Sequence, residues 1–152
     1  MSRPIAQARS AYTVFYPIST RWLDNDVYGH VNNVVYYGWF DTAVNRFLIE
    51  QGTLDIHAGA FMGLVVESQC NYFAPLAYPQ EVQAGLRVAH VGHSSVRYEV
   101  ALFAGQGPDP SAGADALCAA SGHLVHVYVD RLTRRPVALP APLLSALAKL
   151  RC

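Results

Sequence analysis

The sequence predicts an α+β fold, a curled antiparallel sheet of about five strands wrapped around one long apolar helix. Three observations predict it. One alternating segment comes first, followed by a helical run that is apolar almost all round in its first half. Four further strand-like segments follow that run in hairpin succession. Hydrophobic residues make up 52% of the chain and charged residues 14%, well under the roughly 25% of an average soluble protein. So few charges imply that part of the surface is covered by another copy, giving a homodimer or a homotetramer.

The 152 residues are expected to form a single domain, 1–152, with a real core. Residues 1–11 read as a loose tail. Tyr12 to Ile18 alternates, with Tyr12, Val14, Tyr16 and Ile18 on one side, and Pro17 puts this first strand at an edge. Asn32 or Asn33 supplies a side-chain cap for the helix, and Gly52 suits the left-handed stop after Gln51. The helix is then about 27 Å long at 1.5 Å per residue. Gly38 in its interior predicts the close approach of another backbone. Thr53 to Met62 is a turn-rich connector. Leu64 to Phe73 sets Leu64, Val66, Ser68, Cys70 and Tyr72 on one face. Glu81 to Val91 and Ser94 to Ala104 form a hairpin about Gly92-His93, with Val82, Ala84, Leu86 and Val88 facing Val96, Tyr98, Val100 and Leu102. Gly105 to Gly113 is a flexible loop, Asp115 to Asp130 is a long strand with a bulge near Gly122, and Arg131 to Pro136 is a basic turn. The last segment, 140–152, carries a short amphipathic helix.

A zero formal net charge argues against a nucleic-acid partner, which needs a basic excess. Cys70, Cys118 and Cys152 make no spacing pattern and read as reduced thiols of a cytoplasmic protein. No signal peptide is expected, since the basic residues of Met1 to Ser10 have no apolar segment behind them. No run approaches the ~18 apolar residues of a membrane span.

The chemistry lies between the first strand and the helix, in Asp24-Asn25-Asp26-Val27-Tyr28-Gly29-His30. An acid-bearing loop there meets the free N–H groups of a helix start, which can hold a developing oxyanion. A carboxylate beside an oxyanion site is the minimum equipment for acyl-transfer hydrolysis. Asp26 is therefore a base or nucleophile, or else a loop residue that caps the helix. Asp24 is structural, pinning the loop or pairing with Arg21. His30 either tunes Asp26 and orients water or is a buried histidine bonded to a backbone carbonyl. Asp24, Asp26 and His30 fit no standard metal spacing, and period-two alternation points His123 and His126 to opposite faces of a strand. No metal and no cofactor are expected.

Asp24-x-Asp26-x-x-Gly29, followed by a helix containing Phe40-Asp41-x-Ala43, resembles the hotdog-fold thioesterases of the 4-hydroxybenzoyl-CoA thioesterase-like family. The resemblance spans roughly Tyr12 to Pro140. It implies the hotdog fold and hydrolysis of an acyl-CoA or acyl-carrier-protein thioester. It puts the catalytic carboxylate on Asp26, the oxyanion N–H on Asn33 and an acyl-pocket acid on Asp41. The segment His30 to Trp39 also looks like the plant acyl-carrier-protein thioesterases, with Tyr28 standing where those have a catalytic Asn. Ser94, Ser95 and Arg97 follow a turn where members of the family contact coenzyme A, and Arg134 and Arg135 could grip its phosphates or simply form a solvated turn. Tyr36 is core that could also wall an acyl tunnel. Glu67 either faces the site across a dimer interface or points outward. Rival readings are a non-catalytic ligand-binding hotdog module and a hotdog hydratase or dehydratase.

Overall fold

The computed structural model describes residues 4–105 and 117–151. Strand β1 (Val14–Ser19) is followed by helix α1 (Asn33–Glu50), then by β2 (Phe61–Tyr72), β3 (Glu81–Val91), β4 (Ser95–Gly105) and β5 (Cys118–Asp130), and last by helix α2 (Ala141–Ala148). The strands form one antiparallel sheet in the order β1-β3-β4-β5-β2. The β3–β4 hairpin turns at Gly92-His93-Ser94, closed by Gly92 N–H donating to the Ser95 carbonyl at 2.8 Å.

Alternation decides which residues meet the helix. Val82, Ala84, Leu86, Val96, Tyr98, Val100 and Leu102 are fully buried, with Leu124 and Tyr128 of β5 beside them. Helix α1 answers with Tyr36, Trp39, Phe40, Ala43, Val44, Phe47 and Leu48, the i, i+3, i+4, i+7 stripe of a core-facing helix. Each large apolar side chain hidden in this way contributes roughly 1.5–3 kcal/mol. Asn32 caps the helix by accepting from Val34 N–H at 3.0 Å, and Gly52, at φ +70°, takes the left-handed turn that ends it.

Several sequence expectations shift. Residues 9–11 are not loose, since they form a 3-10 turn and the Arg9 guanidinium bonds Gln83 at 2.8 Å. Tyr12 precedes β1 and packs with Phe103 and Cys118 on the sheet's other face, not with Tyr16 and Ile18. Helix α1 is not covered all round, because one sheet covers one stripe; Val34, Gly38 and Asp41 stay exposed. A Cβ added at Gly38 would meet nothing within 4 Å, so the expected backbone approach is missing among the described residues. A bulge at Val66 flips the alternation of β2: Phe61 packs on the core before it, Cys70 after it. Leu64 and Val66 therefore do not share a face with Ser68, Cys70 and Tyr72. The bulge of β5 falls at Ala119, where Leu102 pairs with Ala120 and Phe103 with Cys118. Gly122 marks a close approach instead: a Cβ there would overlap the Gln69 carbonyl and crowd the Phe40 ring. The connector ends at Ala60, as Phe61 and Met62 already belong to β2. Beyond Gly105, the expected 105–113 loop lies outside the described residues. Among the described residues no helix is long and apolar enough to cross a membrane.

Candidate functional site

The loop between β1 and α1 is held from inside by Asp24. Its carboxylate is buried, at 1% exposure, and accepts from Arg21 N–H at 2.8 Å and from the Arg21 guanidinium at 2.9 and 3.1 Å. Its backbone carbonyl accepts from Asn32 N–H at 2.8 Å. One residue thus ties the start of the loop to the helix cap, the pinning role expected for it. Asp26 N–H donates to the His30 carbonyl at 2.9 Å, and Gly29 N–H donates to the Asp26 carbonyl at 3.0 Å. Gly29 sits at φ +83°, which an L side chain would resist. The loop is fastened outward by Val31 N–H to the Leu76 carbonyl at 2.7 Å and by Tyr78 N–H to Asn25 Oδ1 at 3.0 Å.

Within this frame Asp26 is half-buried, and its Oδ1 accepts from Tyr28 N–H at 2.9 Å. Among the described residues its other oxygen has no partner. Asp26 lines a cleft of about 590 Å³ with Trp22, Val27, Tyr28 and Asn32. His30 is exposed, which excludes the buried-histidine reading, and it reaches Asp26 through backbone alone. His30 lines a second cleft, of about 340 Å³, with Asn33, Tyr36, Tyr72 and Phe73. The linings of the two clefts interleave along one loop, Gly29 and Asn32 bordering the first and His30, Val31 and Asn33 the second.

The helix start is built to meet an anion. Asn32 accepts from Val34 N–H through its side chain and from Val35 N–H through its carbonyl, each at 3.0 Å. Among the described residues Asn33 N–H has no acceptor, and it carries the positive end of the α1 dipole. Tyr72 hydroxyl donates to the Asn33 carbonyl at 2.9 Å, and Tyr36 stacks edge-on against Tyr72 with ring centres 5.0 Å apart. Burial raises the phenols of Tyr36 and Tyr72 above the usual range, so both stay protonated. Tyr36 is buried core as expected and also borders this cleft. Asp41 lies on the exposed stripe of α1, where the surrounding protein still raises its carboxyl above the usual range by desolvation.

The other sequence candidates gather elsewhere. Glu67 points to the sheet's outer face, where its carboxylate is 2.7 Å from His123 Nε2. Arg97 lies on the same face, 3.8 Å from Glu99. Ser94 and Ser95 occupy the β3–β4 turn, and Ser95 pairs with Val127. Arg134 and Arg135 are exposed in the turn after Asp130, with Arg134 at φ 62°. That turn adjoins Phe61, whereas the helix start adjoins Tyr72, at the other end of β2. The two ends are roughly 35 Å apart at about 3.3 Å per strand residue. One chain alone does not bring the arginines to Asp26.

Sequence reasoning missed His126 as a feature of the interior. It is 3% exposed, and among the described residues neither ring nitrogen has a partner. Burial pushes its imidazole down to about 4. Its place on the inner face was readable from alternation; its lack of partners was not.

Residues 20–147 match the family model of the thioesterase-like superfamily. The crystal structure of the PA5185 protein from Pseudomonas aeruginosa strain PAO1 is 54% identical, with 97% of each chain covered and a TM-score of 0.88. Slr0204, a 1,4-dihydroxy-2-naphthoyl-CoA thioesterase from Synechocystis, shares the fold at 19% identity, with 90% of this chain and 96% of that one covered and a TM-score of 0.74. The YsmA protein of Bacillus subtilis is 23% identical over 93 residues, which span 61% of this chain and 63% of YsmA. With its sheet curled around α1 in the hotdog manner, the chain belongs to the thioesterase-like superfamily.

Proposed function

We propose that the protein is an acyl-CoA thioesterase in which Asp26 and the N-terminus of α1 perform the hydrolysis. The observation that carries this reading is the pairing of two unspent groups on one pinned loop: the second oxygen of Asp26 and the N–H of Asn33. Asp26 takes a proton from water as the water oxygen bonds to the thioester carbonyl carbon. Charge moves to the carbonyl oxygen, which Asn33 N–H and the helix dipole stabilise. The C–S bond then breaks, the acid is released and the sulfur leaves as the CoA thiol with the proton Asp26 took. Direct attack by Asp26, through a mixed anhydride that water then cleaves, uses the same geometry. His30, exposed at the rim, can orient the water.

The site is completed by a second copy in this reading. Strand β2 is a sheet edge with exposed Val65 and Val66 at its middle, a surface that invites pairing. Antiparallel pairing of β2 with its own copy about Val66 would bring one chain's 94–97 and 131–136 turns beside the other chain's helix start. Ser94, Ser95, Arg97, Arg134 and Arg135 would then meet the CoA phosphates. The exposed stripe of Val34, Gly38 and Asp41 would be covered, Tyr36 and Asp41 would border the acyl group, and Glu67 would face the seam. The same reading takes a homodimer as the minimum unit, with a tetramer formed by further pairing. A cytoplasmic setting suits the free thiols of Cys70 and Cys118.

The test is CoA release by the purified protein across aliphatic and aromatic acyl-CoA and acyl-carrier-protein thioesters. Turnover well above the enzyme-free rate on at least one is expected. Tight binding with no turnover would favour a ligand-binding module, and hydration of an enoyl-CoA without loss of CoA would favour a hydratase.

A further inference from the structure

A cavity of about 150 Å³ lies at the far end of the fold from Asp26, between the C-terminal half of α1, the start of β2, β5 and α2. It shares no lining residue with either cleft at the loop. Leu48, Leu54, Phe61 and Leu143 make most of its wall apolar. His126 lines it, nine-tenths and more buried, with both ring nitrogens unpartnered. The neighbouring Tyr98 and Tyr128 hydroxyls bond each other at 2.7 Å, and neither reaches a nitrogen of that ring. Glycine at 63 spares that side of the ring a clash, since a Cβ there would lie 2.9 Å from His126 Nδ1.

We propose that this cavity is a second binding site, for a neutral ligand about one aromatic ring in size that carries a hydroxyl group. The volume is that of a cavity able to take a benzene-sized guest. A neutral imidazole has one donor and one acceptor nitrogen. A hydroxyl both donates and accepts, so it can bond His126 in either tautomer. A bare hydrocarbon would leave the ring unsatisfied. Burial keeps the imidazole uncharged near neutral pH, and the two charged residues of the lining, Arg131 and Asp55, are opposite in sign and attract each other, so the cavity offers an anion no net counter-charge. Thr53 to Ile56 of the connector form one wall of the cavity, held by Arg131 Nη2 donating to the Ile56 carbonyl at 3.0 Å.

The probe is phenol, with toluene as its hydroxyl-free match in shape. Binding of each is followed by NMR on the purified full chain, reading the His126 ring nitrogens and the amides of Gly63 and Leu143. Phenol should bind at least tenfold more tightly than toluene, a difference of about 1.4 kcal/mol. It should shift His126 together with those amides. In His126→Leu, the preference for phenol over toluene should vanish while toluene still binds. Gly63→Ala, which crowds the ring, should lose phenol while keeping a native-like spectrum, so the proposal remains testable if His126→Leu folds poorly. Equal affinity for the two probes would overturn the proposal. So would no binding up to the solubility limit, which would mean that water alone occupies the site. Shifts confined to the 22–36 loop would also overturn it, by locating the ligand in the hydrolytic clefts.

Discussion

Acidification should weaken the fold through one side chain, His126. Its imidazole titrates near 6.5 in an unfolded chain, and burial pushes it down to about 4 in the native one. Above pH 6.5 both states hold it neutral, so the native state suffers no penalty. As pH falls from 6.5 towards 4, the unfolded chain takes up a proton that the native chain refuses, and stability drops. Below about 4 both states bind the proton, and the loss is complete. At about 1.4 kcal/mol per pH unit the full displacement is on the order of 3 kcal/mol. Urea unfolding of wild type and His126→Leu at several pH values between 7.5 and 4 measures it. Carboxylates titrate in both proteins and cancel in the difference. The variant should gain on wild type steadily from pH 6.5 downwards, with similar m-values. Parallel curves over that window would refute the reasoning and mean that the ring is solvated or bonded in solution.

Two further substitutions probe the frame around the site. Gly122→Ala drives a methyl into the Gln69 carbonyl and the Phe40 ring; it should cost about 3 kcal/mol or more, read as a fall in urea midpoint. Asn32→Ala removes the acceptor for Val34 N–H and should cost about 1 kcal/mol, with a matching drop in melting temperature and a fall in thioester turnover as the helix start frays.

Much of the fold was legible because β3 alternates from Val82 to Val88, ahead of a bulge at Ala89, and β4 from Val96 to Leu102, and both lie in the sheet's interior, where neighbours on each side enforce the register. The same rule failed on β2, an edge strand. There Val66 bulges without any mark in the sequence, and every later side chain changes face. Gly122 stands out in the sequence but suggests the wrong reason, since a glycine that admits a neighbouring backbone looks the same there as one that permits a bulge. The helix cap and its glycine stop were legible because both act within a few residues of chain. The loop motif marked Asp26 and Asn33, and local hydrogen bonds explain the loop's shape. The basic turn at Arg134 and the serines at 94–95 could not be placed relative to Asp26, because that relation depends on strand length and, in the proposed dimer, on a second chain. His126 went unnoticed as an orphan because a satisfied and an unsatisfied histidine share one letter.

The proposed chemistry turns on Asp26, and Asp26→Asn tests it most directly. An asparagine can still accept from Tyr28 N–H through its side-chain oxygen, so the loop and the melting temperature should hold while the carboxylate's basicity is lost. Turnover of the best thioester substrate should fall at least ~100-fold. A variant that melts like wild type and releases CoA within twofold of its rate would contradict the account.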